Sequence, residues 1–274
     1  MRISKSVSLV SILLAAAASL QAADHSLPRF DHIVIVLEEN HSLAQVSEAP
    51  YLASLSSRGT LFTRSFAVAH PSQPNYIALF SGSTQEVRDD RRHDLDAPNL
   101  ATSLTAAGLT FAGYSEDLPS VGFRGDSFHG YVRKHAPWAS FTNVPDAVNM
   151  PLTDFPSDFS RLPTVSFLVP NLKNDMHDGS VEEGDRWLRT HLDDYARWAA
   201  THNSLLIITF DEGPGSQPPA TTPIATVFLG EQVKVGASDQ PITHYSILRL
   251  IEDTYGLAYL GEDRTASSIT GTWE

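Results

Sequence analysis

Four short stretches carry side chains that can do chemistry together: "EENHS" at 38–42, "HPSQPNY" at 70–76, "NLKNDMHDGS" at 171–180 and "DEG" at 211–213. Glu39 and Asn40 offer two side-chain oxygens directly after an apolar run. Oxygen donors of this kind suit Mg, Ca or Mn. Taken alone, the stretch reads equally as a solvated turn that Asn40 caps. Asp211 and Glu212 follow the most apolar run of the chain, "SLLIITF". Two adjacent carboxylates there are costly unless a cation or a solvated cleft compensates them, and Asp211 is the better placed of the two as a ligand.

Ser72 stands at the N-cap of a helical pattern, with Pro74 inside the first turn, where a missing N–H does no harm. Its hydroxyl then points among free backbone N–H groups at the positive end of the helix dipole, a place that favours phosphate. A serine nucleophile in that position needs a metal or a base to ionise, and Asn75, one turn on, can hold a phosphoryl oxygen. A serine N-cap by itself is only a cap; the neighbouring stretches give it a chemical reading. In the 171–180 loop Asn171, Asn174, Asp175, His177 and Asp178 lie close together. His177 is the functional choice among them, since a histidine can protonate a leaving oxygen or hold a charged phosphoryl group. The same residues also read as an Asx-rich turn in which Asp178 or Ser180 caps the next helix. His244 is placed either as a neutral ligand or on the surface, His129 and His135 beside the cleft or in the structure around it, and "RDDRRHDLD" (88–96) in a solvated loop.

The elements that must position these residues are legible as alternation. Short β-branched or apolar runs at 32–37, 60–68, 109–115, 164–169, 204–210 and 224–230 suit buried strands. Helical patterns occupy 50–58, 73–81 and 97–107, each followed by glycine, and 182–202 and 243–255 complete the set. Strands alternating with helices predict an α/β fold whose mostly parallel sheet binds ligands at the carboxyl ends of its strands. One domain from 24 to 274 is expected, since no linker or repeat divides the chain.

Residues 1–23 have the layout of an export signal: Arg2 and Lys5, an apolar run, then small residues. The run is too short for a membrane span, so a secreted or periplasmic protein without a stable anchor after cleavage is expected. The net charge of −13 becomes −15 without that segment, which leaves 17 Lys and Arg against 32 Asp and Glu. Such a balance argues against nucleic acid and leaves a small phosphorylated substrate open. Cysteine is absent, which excludes disulfides and thiolate chemistry.

The ordered set "HIVIVLEENHS", "HPSQPNYIALFSG", "YVRKHAPW", "NDMHDGS", "LLIITFDEG" and "ITHYSILRLIEDTYGL" resembles the secreted bacterial phosphoesterases that include acid phosphatases and phosphatidylcholine-type phospholipases C. The resemblance runs from about Phe30 to Leu260. It implies an alkaline-phosphatase-like α/β/α sandwich of three layers. It also implies Ser72 as nucleophile and Asn75 as phosphoryl binder by likeness to a Thr-x-Pro-Asn signature, and Glu39, Asn40, Asp211 and Glu212 as metal ligands. His177 and Asp178 match the family's His-Asp element, with a proton-donating or phosphoryl-binding role. Two-metal relatives place a histidine after the acidic residue that ends a late strand, whereas this chain has Glu212 there. One divalent ion (Mg, Ca, Mn or Zn) bridging Ser72 and the phosphate is therefore expected. The implied activity is hydrolysis of phosphomonoesters through a phosphoserine. A phospholipase C-type diesterase and a non-catalytic phosphate binder are the alternatives.

Overall fold

A computed structural model describes residues 27–215 and 217–274, so the export signal expected at 1–23 lies outside the described residues. The first strand, β1 (His32–Glu38), sends Ile33, Ile35 and Leu37 into one apolar cluster and Val34 and Val36 into a second on the opposite face. A strand buried on both sides needs apolar residues at every position, which is why its sequence shows no alternation with polar residues. After it come α1 (Leu43–Val46), α2 (Pro50–Ser56), β2 (Thr60–Phe66), α3 (Ser72–Ser81) and α4 (Leu100–Ala106). Next are β3 (Phe111–Ser115), a small hairpin of β4 (Ser127–Phe128) and β5 (Tyr131–Val132), β6 (Asn149–Pro151) and β7 (Val165–Val169). The chain continues through α5 (Val181–Ala199), β8 (Ser204–Phe210), β9 (Ile224–Leu229), β10 (Gly236–Ser238), β11 (Ile242–Thr243) and α6 (His244–Tyr255).

The central sheet has the order β10-β2-β9-β8-β1-β7-β3-β6, and β11 also pairs with β2. Its pairings are parallel except at β9, which runs against both β2 and β8. Because β2 and β8 are both antiparallel to β9, they point the same way, and the carboxyl ends of β1, β2, β3, β7 and β8 open on one edge. Buried residues of α3 and α6 belong to one apolar cluster and those of α2 and α5 to the other, giving the expected α/β/α layers.

All ten residues of α3 are buried, so this helix has no polar face. It ends where Gly82 takes φ 69°. A side chain there would meet the Leu260 carbonyl oxygen as well as adopting a left-handed backbone. α5 is amphipathic instead: Trp187, Leu188, Leu192, Tyr195, Ala196 and Ala199 are buried along one stripe, and Ser180 with Glu183 forms a capping box at its start.

Several boundaries differ from the sequence reading. α3 begins at Ser72 itself with Pro71 as the cap residue, so Ser72 is the first helical residue and not the cap. Its hydroxyl is drawn to side chains outside the helix, as described below. α4 starts at Leu100 because Asn99 accepts the Thr102 N–H and thereby fixes the first turn. α5 stops at Ala199, three residues before the expected end. The 88–96 run is the solvated loop expected, and its Asp90 accepts the Gln73 N–H at 3.0 Å and the Lys134 ammonium at 2.8 Å, which ties the loop to the start of α3. No helix among the described residues is long and apolar enough to cross a membrane.

Candidate active site

β1 and β8 are parallel neighbours with Glu38 opposite Phe210, so Glu39–Asn40 and Asp211–Glu212 leave the sheet side by side. Asn40 turns out of the strand with φ 52°, a conformation that asparagine tolerates better than most residues. Its N–H donates to Asp211 Oδ1 at 2.9 Å, and the Glu212 N–H donates to the same oxygen at 2.6 Å. From the end of β2, residues 67–71 cross to the start of α3 and deliver Ser72 to this point. Ser72 Oγ lies 3.1 Å from Glu39 Oε2, 3.3 Å from Glu212 Oε1 and 3.5 Å from Asn40 Oδ1. Ser72, Glu39, Asp211 and Glu212 are all buried.

The other residues singled out in the sequence take supporting positions. Asn75 accepts the N–H groups of Val68 and Ala69 at 3.0 Å and returns its amide to Ala69 O at 2.9 Å, with Glu212 Oε2 at 3.4 Å. Its carboxamide thus holds the loop that leads to Ser72. His177 follows β7 on the 171–180 loop, where Asp175 Oδ1 accepts its N–H and Asp178 Oδ1 lies 2.7 Å from its Nδ1. The Asp178 carboxylate is exposed and faces His177. His244, placed on the surface or as a ligand by its sequence context, is buried and not on the surface. Its Nε2 sits 2.7 Å from the Asp211 carbonyl oxygen, where it fixes the backbone between the two acidic residues.

The profile of the Phosphoesterase family matches residues 45–258. The chain belongs to the phosphoesterase family. This phosphoesterase is 43% identical to a phosphatidylinositol-3-phosphatase of Mycobacterium tuberculosis, over 97% of its own length and 90% of the relative's. It is 30% identical to the phosphate-repressible acid phosphatase of Penicillium chrysogenum over 85% of this chain, but spans only 60% of that longer protein. Among solved structures, a protein of the alkaline phosphatase superfamily from Vibrio parahaemolyticus superposes with a TM-score of 0.61 at 13% identity, covering 88% of this chain and 71% of that one. A 2-O GAG sulfatase gives 0.61 at 12% identity over 88% of this chain and 73% of its own. At such low identity these structures establish the fold alone, and it is the alkaline-phosphatase-like one. Family and relatives together make the chain a hydrolase of phosphoric ester bonds.

The phosphoesterase site concentrates negative charge. Burial, and then Asp211 and Asp175, raise the Glu39 carboxyl well above its usual range. Burial pushes Asp211 up to about 6, and burial followed by the Asp211 charge pushes Glu212 up to about 8. A nearby cation works in the opposite direction and favours the ionised forms. The donor set of Glu39, Asn40, Ser72, Asp211 and Glu212 is all oxygen, and Asp211 Oδ2 is buried without a hydrogen-bond partner. That chemistry fits a hard divalent ion better than a soft one. Among the described residues, no trio of His, Asp or Glu side chains is already closed into a metal shell.

Sequence reasoning assigned no role here to His70 or Tyr76, and passed over Asp175. His70 Nδ1 lies 2.5 Å from Glu212 Oε2, and its Nε2 lies 2.6 Å from the Gln217 carbonyl oxygen. Tyr76 donates its hydroxyl to Glu39 Oε1. Both flank Ser72 in the stretch already singled out, so nearness to the nucleophile was the available signal. Asp175 lies in the loop chosen for His177, but nothing local marks it as the buried member.

Proposed function

We propose that this phosphoesterase is an exported, metal-dependent phosphomonoesterase that works through a phosphoserine on Ser72. The observation that carries the reading is the placement of Ser72 Oγ, at the start of a buried helix, within 3.1–3.5 Å of oxygens from Glu39, Glu212 and Asn40. A lone capping serine would turn its hydroxyl to its own helix; this one faces two carboxylates that end neighbouring strands.

A divalent ion held by Glu39, Asn40, Asp211 and Glu212 would supply charge neutralisation for the phosphoryl oxygens and favour ionisation of Ser72. The protein groups account for the rest. Ser72 Oγ attacks phosphorus while its proton passes to a carboxylate oxygen of Glu39 or Glu212, and the ester oxygen departs with the bonding pair. His177, oriented by Asp178, is the group assigned to protonate that oxygen. Water then attacks the phosphoserine, the phosphorus–Oγ bond breaks, and Ser72 regains a proton as phosphate leaves. Asn75 keeps the approach loop in register so that Ser72 does not swing away from the carboxylates. The name of the mycobacterial relative makes a phosphoinositide monoester the first lipid substrate to assay.

The test is release of p-nitrophenol from p-nitrophenyl phosphate by the mature chain, stripped of metal and then resupplied, beside Ser72→Ala. Turnover that returns with the metal and is absent from the variant is expected. Turnover that survives Ser72→Ala contradicts the nucleophile assignment, and turnover indifferent to stripping contradicts the metal. If only a phosphodiester is cleaved, the site serves a phospholipase C-type reaction instead.

A further inference from the structure

Glu39 has two oxygens with different surroundings. Oε2 faces Ser72 Oγ at 3.1 Å, whereas Oε1 receives the Tyr76 hydroxyl and lies 3.2 Å from His135 Nε2. His135 belongs to a short turn after β5 and is 1% exposed. Its other ring nitrogen, Nδ1, lies 3.2 Å from Asp175 Oδ2. The imidazole stacks on the Tyr76 ring, with centroids 5.0 Å apart and planes 5° from parallel.

These contacts close a ring of interactions. The Glu39 N–H donates to the Asp175 carbonyl oxygen at 2.8 Å, so Asp175 holds both the backbone of Glu39 and the imidazole that faces its side chain. Asp175 Oδ1 also accepts the His177 N–H, and the His135 and His177 rings lie 6.0 Å apart. A histidine buried between two carboxylates is a costly choice if filling space were its only task, since an apolar ring would pack there without desolvated polar atoms. What the polar ring adds is proximity: its Nε2 lies 3.2 Å from Glu39 Oε1, outside hydrogen-bond geometry, while the Tyr76 hydroxyl takes that oxygen and leaves the other presented to the nucleophile.

We infer that His135 and Tyr76 are positioning residues that fix the Glu39 carboxylate for its ligand role, and that Asp175 ties this pair to the His177 loop. The inference rests on the reading of Glu39 as a metal ligand. Groups that orient a ligating side chain typically change metal affinity by roughly 10- to 100-fold when removed.

The experiment titrates Mn²⁺ into the metal-stripped full chain, followed by electron paramagnetic resonance, with melting temperature measured on each variant. His135→Gln places an amide near the position of Nε2 and keeps a contact to Glu39, whereas His135→Asn places one near Nδ1 and keeps only the contact to Asp175. Tyr76→Phe removes the hydroxyl but preserves the stacked ring. Mn²⁺ affinity is expected to fall by about 10- to 100-fold in His135→Asn and in Tyr76→Phe, and to stay near wild type in His135→Gln. A merely structural histidine predicts equal losses for Asn and Gln that track the melting temperature, and that result overturns the inference. So does wild-type affinity in His135→Asn and Tyr76→Phe, while the metal reading survives. If the wild type itself takes up no Mn²⁺, the metal reading fails and the positioning role goes with it. Should His135→Asn not fold, Tyr76→Phe decides, because it keeps the packing.

Discussion

The Asn75 carboxamide holds the loop that leads to Ser72. Its oxygen takes two backbone N–H groups, and its amide is shared between Ala69 O and Glu212. Asn75→Ala leaves those donors unsatisfied in a buried region, a loss of about 1–3 kcal/mol. Melting temperature and kcat should therefore fall together, since Ser72 loses its anchored approach. A raised KM with unchanged melting temperature would instead make Asn75 a phosphoryl binder alone. At this scale the sequence was readable wherever a side chain follows directly from an element's end. Glu39, Asn40, Asp211, Glu212 and Ser72 meet because two strand ends and one helix start meet. His135 was not readable, because its partner Glu39 lies far away in sequence and only the fold brings them together; Tyr76 had only its nearness to Ser72 to mark it. His244 misled for a related reason: a polar residue at a helix start looks exposed until β11 and α6 are seen to bury it against Asp211.

Elements were predicted best where burial demands a continuous apolar pattern. All six expected strands formed, each end within two residues of its expected place, because runs such as "HIVIVL" and "SLLIITF" can be buried on both faces. The short strands β6, β10 and β11 were missed, since two or three residues carry no period and owe their extended form to the neighbour they pair with. The reversed direction of β9 was equally hidden, for a buried strand reads the same either way along the sheet. Glycine correctly marked the ends of α3 and α6, where Gly82 and Gly256 take φ 69° and 66°. The starts were less certain. α3 gained Ser72 because Pro71 and the strand-end carboxylates, not a capping hydroxyl, define its first turn.

For the whole molecule, the acidic composition extends into the interior at a second place. Glu252 on α6 and Asp263 beyond it are both buried and share the Leu260 N–H, at 3.1 and 3.0 Å. Burial, then Asp263, pushes Glu252 from 4.5 up to about 10. The folded state therefore holds a proton that the unfolded chain releases, so this group's contribution is full below about pH 4.5 and is lost as pH rises toward about 10. Glu252→Gln stays neutral throughout, and its melting temperature should gain on wild type as the buffer moves from about pH 5 to about pH 9. A difference that stays constant with pH would show that the pair does not share a proton.

The central claim concerns one oxygen atom, and it can be seen directly. A labelled phosphomonoester mixed with the metal-loaded protein and quenched in acid should leave a phosphoryl group on the peptide that contains Ser72, and none on the same peptide of Ser72→Ala. Rapid turnover with no trapped phosphoryl group, or a label on any other residue, would contradict the account.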